Sequence, residues 1–258
     1  MPLLIGTSGW HYQHWKGGFY PKGVPQRSWL GYYAERFDTV ELNNAFYRLP
    51  SREAFERWSA ELPEDFVVAV KASRYLTHIR RLREPRDPVT LLLERATGLG
   101  RKLGPILLQL PPTMKADPDL LDAALKVFPS EARVAVEMRH PTWFNVRCRR
   151  ILEERGAALC LADGGAVSAP MWRTADWSYV RFHRGRASPE SCYGDVALRR
   201  WAEKLAAQWG PAETVFAYFN NDLHGCAPRD ARKFATAARR AGLRPTTVPG
   251  PGETPISE

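Results

Sequence analysis

Glu137, Arg139 and His140 follow directly on the apolar run Val134, Ala135 and Val136, and Pro141, Trp143 and Phe144 come next. A short buried strand has no packing use for a carboxylate, a guanidinium and an imidazole at its far end. In parallel α/β barrels, that end of a strand is where ligands bind and chemistry occurs. Glu137 suits a general base or a metal ligand. It equally suits a structural pair with Arg139 or Lys71, because a buried carboxylate has to be hydrogen-bonded or paired.

Other apolar runs end the same way. The first is followed by Thr7, Ser8, Trp10 and His11, and the second carries Glu41, Asn43 and Asn44, with Phe46 and Tyr47 beyond. Lys71 and Ser73 close the third, Gln109 the fourth and Asp163 the sixth. Arg181 and His183 close the seventh, and Asn220 and Asn221 the eighth. From these, Glu137, His183, Lys71, Glu41 and Asp163 are the candidate catalytic residues. Glu41 and Asp163 share the ambiguity of Glu137. His183 and His140 fit acid–base roles, or those of hydrogen-bonded core histidines. Candidate substrate contacts are Arg139, Arg181, His140, Gln109, Asn43, Asn220, Asn221, Trp10, Tyr47 and Trp143. If a divalent metal is bound, Glu137, Asp163 and His183 are the expected ligands. Lys71 opposes a multi-metal cluster, because it either fills a cation's place or acts as a low-pKa base or Schiff-base nucleophile.

The elements that must position these groups are eight apolar runs: 3–7, 39–42, 66–70, 106–110, 134–137, 158–162, 179–182 and 215–219. Most are continuously apolar, as strands buried on both faces are. Helical patterns separate them, over 28–36, 51–62, 88–103, 117–128, 145–155, 197–209 and 228–241. Ser51 and the Asp-Pro steps at 87–88 and 117–118 open helices, and Gly156, Gly210 and Gly242 follow their ends. Eight strands with crossover helices predict an α/β fold, a single parallel eight-stranded (β/α)8 TIM-type barrel over residues 1–243. The connection between strands six and seven, 164–177, is expected to be irregular. Residues 244–258, rich in Pro, Gly and Thr, are expected to form a flexible tail.

Composition sets the outer limits. The chain has 258 residues, 44% hydrophobic and 25% charged, so a large core is available. No apolar run reaches the roughly 18 residues of a membrane helix, and the start lacks a signal-peptide pattern. Cys148, Cys160, Cys192 and Cys226 form no CxxC pair. They are expected to be free thiols in a reducing compartment, hence the cytoplasm. Net charge is +9, and 29 of the 37 basic residues are Arg. An anionic partner or a compositional habit explains this equally well. The arginines and His78 after strand three, together with Lys71, Arg139 and Arg181, favour the anionic partner. Trp10, Trp15, Phe19, Phe46, Tyr47, Trp143, Phe144 and Tyr193 among the same loops suit stacking on bases or sugars, or a hydrophobic layer beneath the loops. No HExxH, P-loop, GxGxxG or GxSxG occurs, and no organic cofactor is indicated.

GTSGW (6–10), FYPKGV (19–24), VELNNAFYRLP (40–50), KASRYLTH (71–78), LLQLPP (107–112), VEMRHPTWF (136–144), YVRFHRG (179–185) and YFNND (218–222) resemble the YecE-like domain-of-unknown-function family, the seventy-second of that series. The resemblance covers about residues 3–243 and implies a TIM-type barrel without a settled reaction. Its fold is similar to apurinic endonuclease and xylose isomerase barrels, which use metals at strand ends. The leading expectation is an enzyme, hydrolase-like (a phosphoesterase or nuclease), acting on an anionic phosphorylated or nucleic-acid substrate. Lys71, Arg139 and Arg181 would hold the anion, with Glu137 as base and His183 as acid. The rivals are a non-catalytic nucleic-acid binder using the basic aromatic rim, and a carbohydrate-active enzyme pairing Glu41 with Glu137.

Overall fold

The computed structural model describes residues 2–165 and 167–254. The fold is α/β. Its strands are β1 (Pro2–Thr7), β2 (Thr39–Leu42), β3 (Val67–Lys71), β4 (Leu103–Gln109), β5 (Val134–Glu137), β6 (Ala158–Asp163), β7 (Trp177–Phe182), β8 (Thr214–Phe219) and β9 (Arg244–Pro245). They hydrogen-bond in the order β2-β3-β4-β5-β6-β7-β8-β1-β9, and every described strand pairing is parallel. The helices are α1 (Trp29–Ala34), α2 (Asn44–Tyr47), α3 (Arg52–Glu61), α4 (Arg86–Ala96), α5 (Pro118–Leu125), α6 (Val146–Glu154), α7 (Asp195–Gln208) and α8 (Cys226–Arg240).

Local chemistry sets several of these boundaries. Asp117 accepts the Leu120 amide at 3.1 Å ahead of Pro118, which starts α5 where the Asp-Pro step predicts. Asn145 does the same for Cys148 at 3.0 Å and opens α6. Gly156 follows α6 at a φ of 59°, a left-handed turn that a side chain would strain. The helix expected over 88–103 stops at Ala96. A 3-10 stretch follows, and Leu103 already belongs to β4. Among the described residues of 164–177 no helix forms, as expected; Ala166 lies outside them.

The chain divides into two compact units, one of residues 1–41, 61–66 and 180–258, the other of 42–60 and 67–179. In the first, β1 lies between β8 and β9, with Leu3 opposite Val215 and Thr7 opposite Phe219. A parallel bridge joins Ser8 to Glu41. Gly6 permits this approach, since a Cβ there would strike the Thr39 carbonyl. Trp15, Phe19, Tyr20, Trp29, Tyr33 and Phe37 build an aromatic core beside β1, with Tyr20 stacked on Trp29 at 4.5 Å and Tyr33 on Phe37 at 4.6 Å. Each such ring contributes about 1.5–3 kcal/mol by leaving water.

Two features of this unit differ from the sequence reading. A ninth strand appears where a flexible tail is expected. Arg244–Pro245 pairs with Pro2–Leu3, the Thr246 amide donates to the Leu3 carbonyl at 2.9 Å, and Arg36 pairs with Glu253 at 3.1 Å. The last part of that expected tail, 255–258, lies outside the described residues. Cys192 and Cys226 form a disulfide, because the fold lays the loop after β7 over the start of α8. Cys148 and Cys160 remain buried thiols. The expectation of four thiols is therefore corrected, and the cytoplasmic expectation loses that support. Trp15 and Phe19 are fully buried, in keeping with a hydrophobic layer beneath the loops, the alternative to stacking.

In the second unit, β3, β4, β5 and β6 run side by side in parallel. Their inner residues are apolar almost throughout, and polarity begins only at Lys71, Gln109, Glu137 and Asp163. Among the described residues, no helix is long and apolar enough to cross a membrane.

Candidate functional site

In the second unit the strand register decides the geometry. Val70 and Lys71 lie opposite Ile106 and Leu107, and Gln109 lies opposite Glu137. Three strands thus deliver their terminal polar side chains to one end of the sheet. Gln109 Nε2 donates to both carboxylate oxygens of Glu137, at 3.0 and 2.9 Å. Arg139 Nε stands 3.8 Å from the same carboxylate. Glu137 is almost fully buried, whereas the Arg139 side chain is one-third exposed. A buried anion is therefore held by a neutral amide on its inner side and approached by a cation from solvent.

Lys71 is also buried, and its ammonium stands 4.0 Å from the centre of the Phe46 ring. That ring meets His78 edge-on at 5.0 Å. His78 sits on a π-helical turn, Tyr75–Ile79, next to the Thr77 hydroxyl at 2.9 Å from its Nδ1. Its pKa is lowered to about 4 by burial and then by the positive charges of Lys71, Arg139, Arg74 and Arg81. At neutral pH the imidazole is uncharged in a positive field. Beyond it, Tyr47 and Tyr75 present exposed rings, and Arg80 lies 5.3 Å from the centre of the Tyr75 ring.

Other expected members of this unit take different places. Trp143 is fully buried and donates its indole N–H to the Met114 carbonyl at 2.7 Å, so it packs rather than presenting a face. His140 caps the short turn Pro141–Trp143, with Nδ1 2.9 Å from the Thr142 hydroxyl. Asn43 stands just ahead of α2. Asp163 ends β6, half-buried.

In the first unit, Glu41 and Arg181 form a fully buried ion pair, with Arg181 Nη2 donating to Glu41 Oε1 at 2.8 Å. Ser8 Oγ donates to the same oxygen at 2.6 Å. Arg181, expected to grip a substrate anion, faces an internal carboxylate instead. Glu41, expected in a carboxylate pair, is held by a cation and a hydroxyl. Tyr12 donates to the Ser8 carbonyl at 2.5 Å. Its pKa is raised by burial and then by the charges of Asp222 and Glu41. Asn220 donates to His183 Nδ1 at 3.0 Å. Asn221 is buried and donates to Asp230 at 2.7 Å, an internal bond. Trp10 is partly exposed.

The sequence reading misses two residues of this unit. His14 Nε2 lies 2.7 Å from Asp222 Oδ2, and Trp15 Nε1 donates to both oxygens of that carboxylate at 3.0 and 2.9 Å. Burial pushes the Asp222 carboxyl up to about 6. The two residues are 208 positions apart, so no spacing could have joined them. A signal was nonetheless present, because each follows a strand end, one after β1 and the other after β8.

Among the described residues, no three His, Cys, Asp or Glu side chains gather closely enough to hold a metal ion.

A family model described as "Protein of unknown function DUF72" matches residues 4–253. The chain belongs to the DUF72 family. Within the curated relatives of this DUF72 protein, the UPF0759 protein YecE of Escherichia coli K12 is 31% identical over 175 residues, covering 65% of this chain and 61% of YecE. The chain thus spans less than two thirds of that relative. The UPF0759 protein YunF of Bacillus subtilis is 25% identical, covering 90% of this chain and 93% of YunF. The crystal structure of a DUF72 family protein from Thermotoga maritima superposes with a TM-score of 0.81 at 26% identity, covering 93% of this chain and all of the other. A DUF72 family protein from Enterococcus faecalis gives 0.78 at 19% identity, covering 96% and 98%, a likeness of fold alone.

Proposed function

We propose that this DUF72 protein is an enzyme acting on a phosphate-bearing substrate, bound where β3, β4 and β5 end. The observation that supports this is the charge balance around His78. Lys71, Arg74, Arg81 and Arg139 act together on that imidazole and outnumber Glu137, the carboxylate 3.8 Å from Arg139. Such a field attracts an anion, and the uncharged His78 adds a hydrogen-bonding ring without adding charge. Lys71 and Arg139 would hold phosphoryl oxygens, and Glu137 would accept a proton from the attacking water. This reading assigns no substrate contact to Arg181, which is paired with Glu41.

A specific observation also favours a nucleic acid as the source of the phosphate. Tyr47 and Tyr75 are exposed in the same unit as the arginines of 74–86, and exposed rings beside cations suit stacked bases. We also infer that the parallel sheet closes into the (β/α)8 barrel expected from the sequence, a reading supported by the Ser8–Glu41 bridge.

The test follows His78 by NMR while inorganic phosphate, then a short single-stranded oligonucleotide, is added. Bound anion neutralises the cations, so the His78 pKa should climb from about 4 toward its ordinary value. Lys71→Met and Arg139→Ala should each weaken binding. A His78 titration unmoved by either anion would remove the basis of this reading.

A further inference from the structure

The first unit contains a second constellation that phosphate binding does not use. Asp222 is nearly buried, with its side chain 10% exposed, while that of His14 is 47% exposed. The carboxylate receives the Trp15 indole at both oxygens, the Ala227 amide at the start of α8, and His14 Nε2. Trp15, next in sequence to His14, is fully buried, so the short turn Gln13–Trp15 is anchored to the carboxylate that the imidazole contacts. An exposed surface ion pair has none of this fixation and is worth little. Here the acceptor is buried and held, and the imidazole stands half in solvent.

That arrangement determines the tautomer. A carboxylate only accepts, so the proton of the short contact belongs to Nε2, and the neutral ring carries its lone pair on Nδ1. A base with one nitrogen fixed by a buried carboxylate and the other open matches the base-and-orienter geometry of proton-transfer sites. Its position agrees, since His14 follows β1 and Asp222 follows β8, and these strands are parallel neighbours in register from Leu3 to Thr7. Ligands of parallel α/β sheets bind beyond the strands' C-terminal ends.

We propose that His14, positioned by Asp222, is a proton acceptor for a hydroxyl group, of water or of a substrate alcohol, at the C-terminal ends of β1 and β8. On an ester, the hydroxyl proton passes to His14 Nδ1 as the hydroxyl oxygen forms its bond to the ester's central atom. The ester bond breaks, the departing oxygen keeps the electron pair, and His14 returns its proton to solvent. In this scheme His14 is the catalytic residue and Asp222 a positioning residue.

The experiment uses the full chain labelled with ¹⁵N-histidine. At a pH where the ring is neutral, the ¹⁵N shifts of His14 should show Nε2 protonated and Nδ1 bare. Asp222→Asn still accepts from Trp15 but turns an amide N–H toward His14 Nε2. That should move the ring proton to Nδ1 and slow acylation of His14 by diethyl pyrocarbonate by about tenfold or more. Wild-type protein should hydrolyse p-nitrophenyl acetate above the rate of His14→Gln. The proposal is overturned by a wild-type ring protonated on Nδ1, by acylation of His14 no faster than that of His11, or by equal hydrolysis in wild type and His14→Gln. If Asp222→Asn does not fold, the wild-type tautomer and the His14→Gln comparison still decide. None of these measurements involves Lys71 or Arg139, so this reading and the phosphate reading can fail separately.

Discussion

Gln109 Nε2 sits 2.9 and 3.0 Å from the two oxygens of Glu137, its direct partner on the next strand. One amide group thus serves both oxygens of a buried carboxylate. Gln109→Leu keeps the bulk and removes the donor, leaving Glu137 under-bonded. The expected loss is about 1–3 kcal/mol of folding stability, measured by urea unfolding. An unchanged midpoint would mean that the carboxylate's other partners satisfy it.

The Glu41–Arg181 pair calls for a double-mutant cycle. Arg181→Met removes the cation from beside a buried carboxylate and should cost about 3–5 kcal/mol. The double variant Glu41→Leu with Arg181→Met removes both charges and should recover a large part of that loss. Simple additivity of the two single losses would show that the pair is not coupled.

His78 makes stability depend on pH in a defined window. Its folded pKa is about 4 against an ordinary 6.5, so between these values the unfolded chain binds more protons. Its contribution is therefore fully present above about 6.5 and is lost as pH falls toward 4. His78→Gln should flatten this part of a stability–pH curve recorded by denaturant titration. A curve of the same slope in the variant would assign the effect elsewhere.

The Cys192–Cys226 bond closes a loop of 34 positions. Replacing both cysteines with serine should lower stability by about 3–4 kcal/mol by the chain-entropy estimate. A reducing agent should lower the melting temperature of the wild type but not of the double variant. Equal sensitivity in both would indicate that the disulfide does not form in solution.

The eight long strands were legible because both faces of each are buried. That burial writes itself as runs such as 134–137, which the structure makes β5. Caps were legible where a side chain acts on its own helix, as at Asp117. What escaped was long-range pairing. Neither His14 with Asp222 nor Cys192 with Cys226 has a local pattern, because only folding brings them together. Roles were harder still. Arg181 and Arg139 look alike in sequence, each near a strand end. Yet one is buried against Glu41 while the other keeps a third of its side chain in water. Leu3 was readable as the start of β1, but its partner β9 was hidden in a Pro-rich stretch whose composition suggests looseness.

That last pairing bears on how the protein is handled in the laboratory. The backbone of Leu3 and Ile5 is bonded to Thr246, at 2.9 and 3.2 Å. Cutting the chain back to residue 243 would strip this cover from the opening residues. The bared amides and carbonyls could then recruit strands from neighbouring molecules, so trimmed preparations should clump on storage while longer ones stay monodisperse.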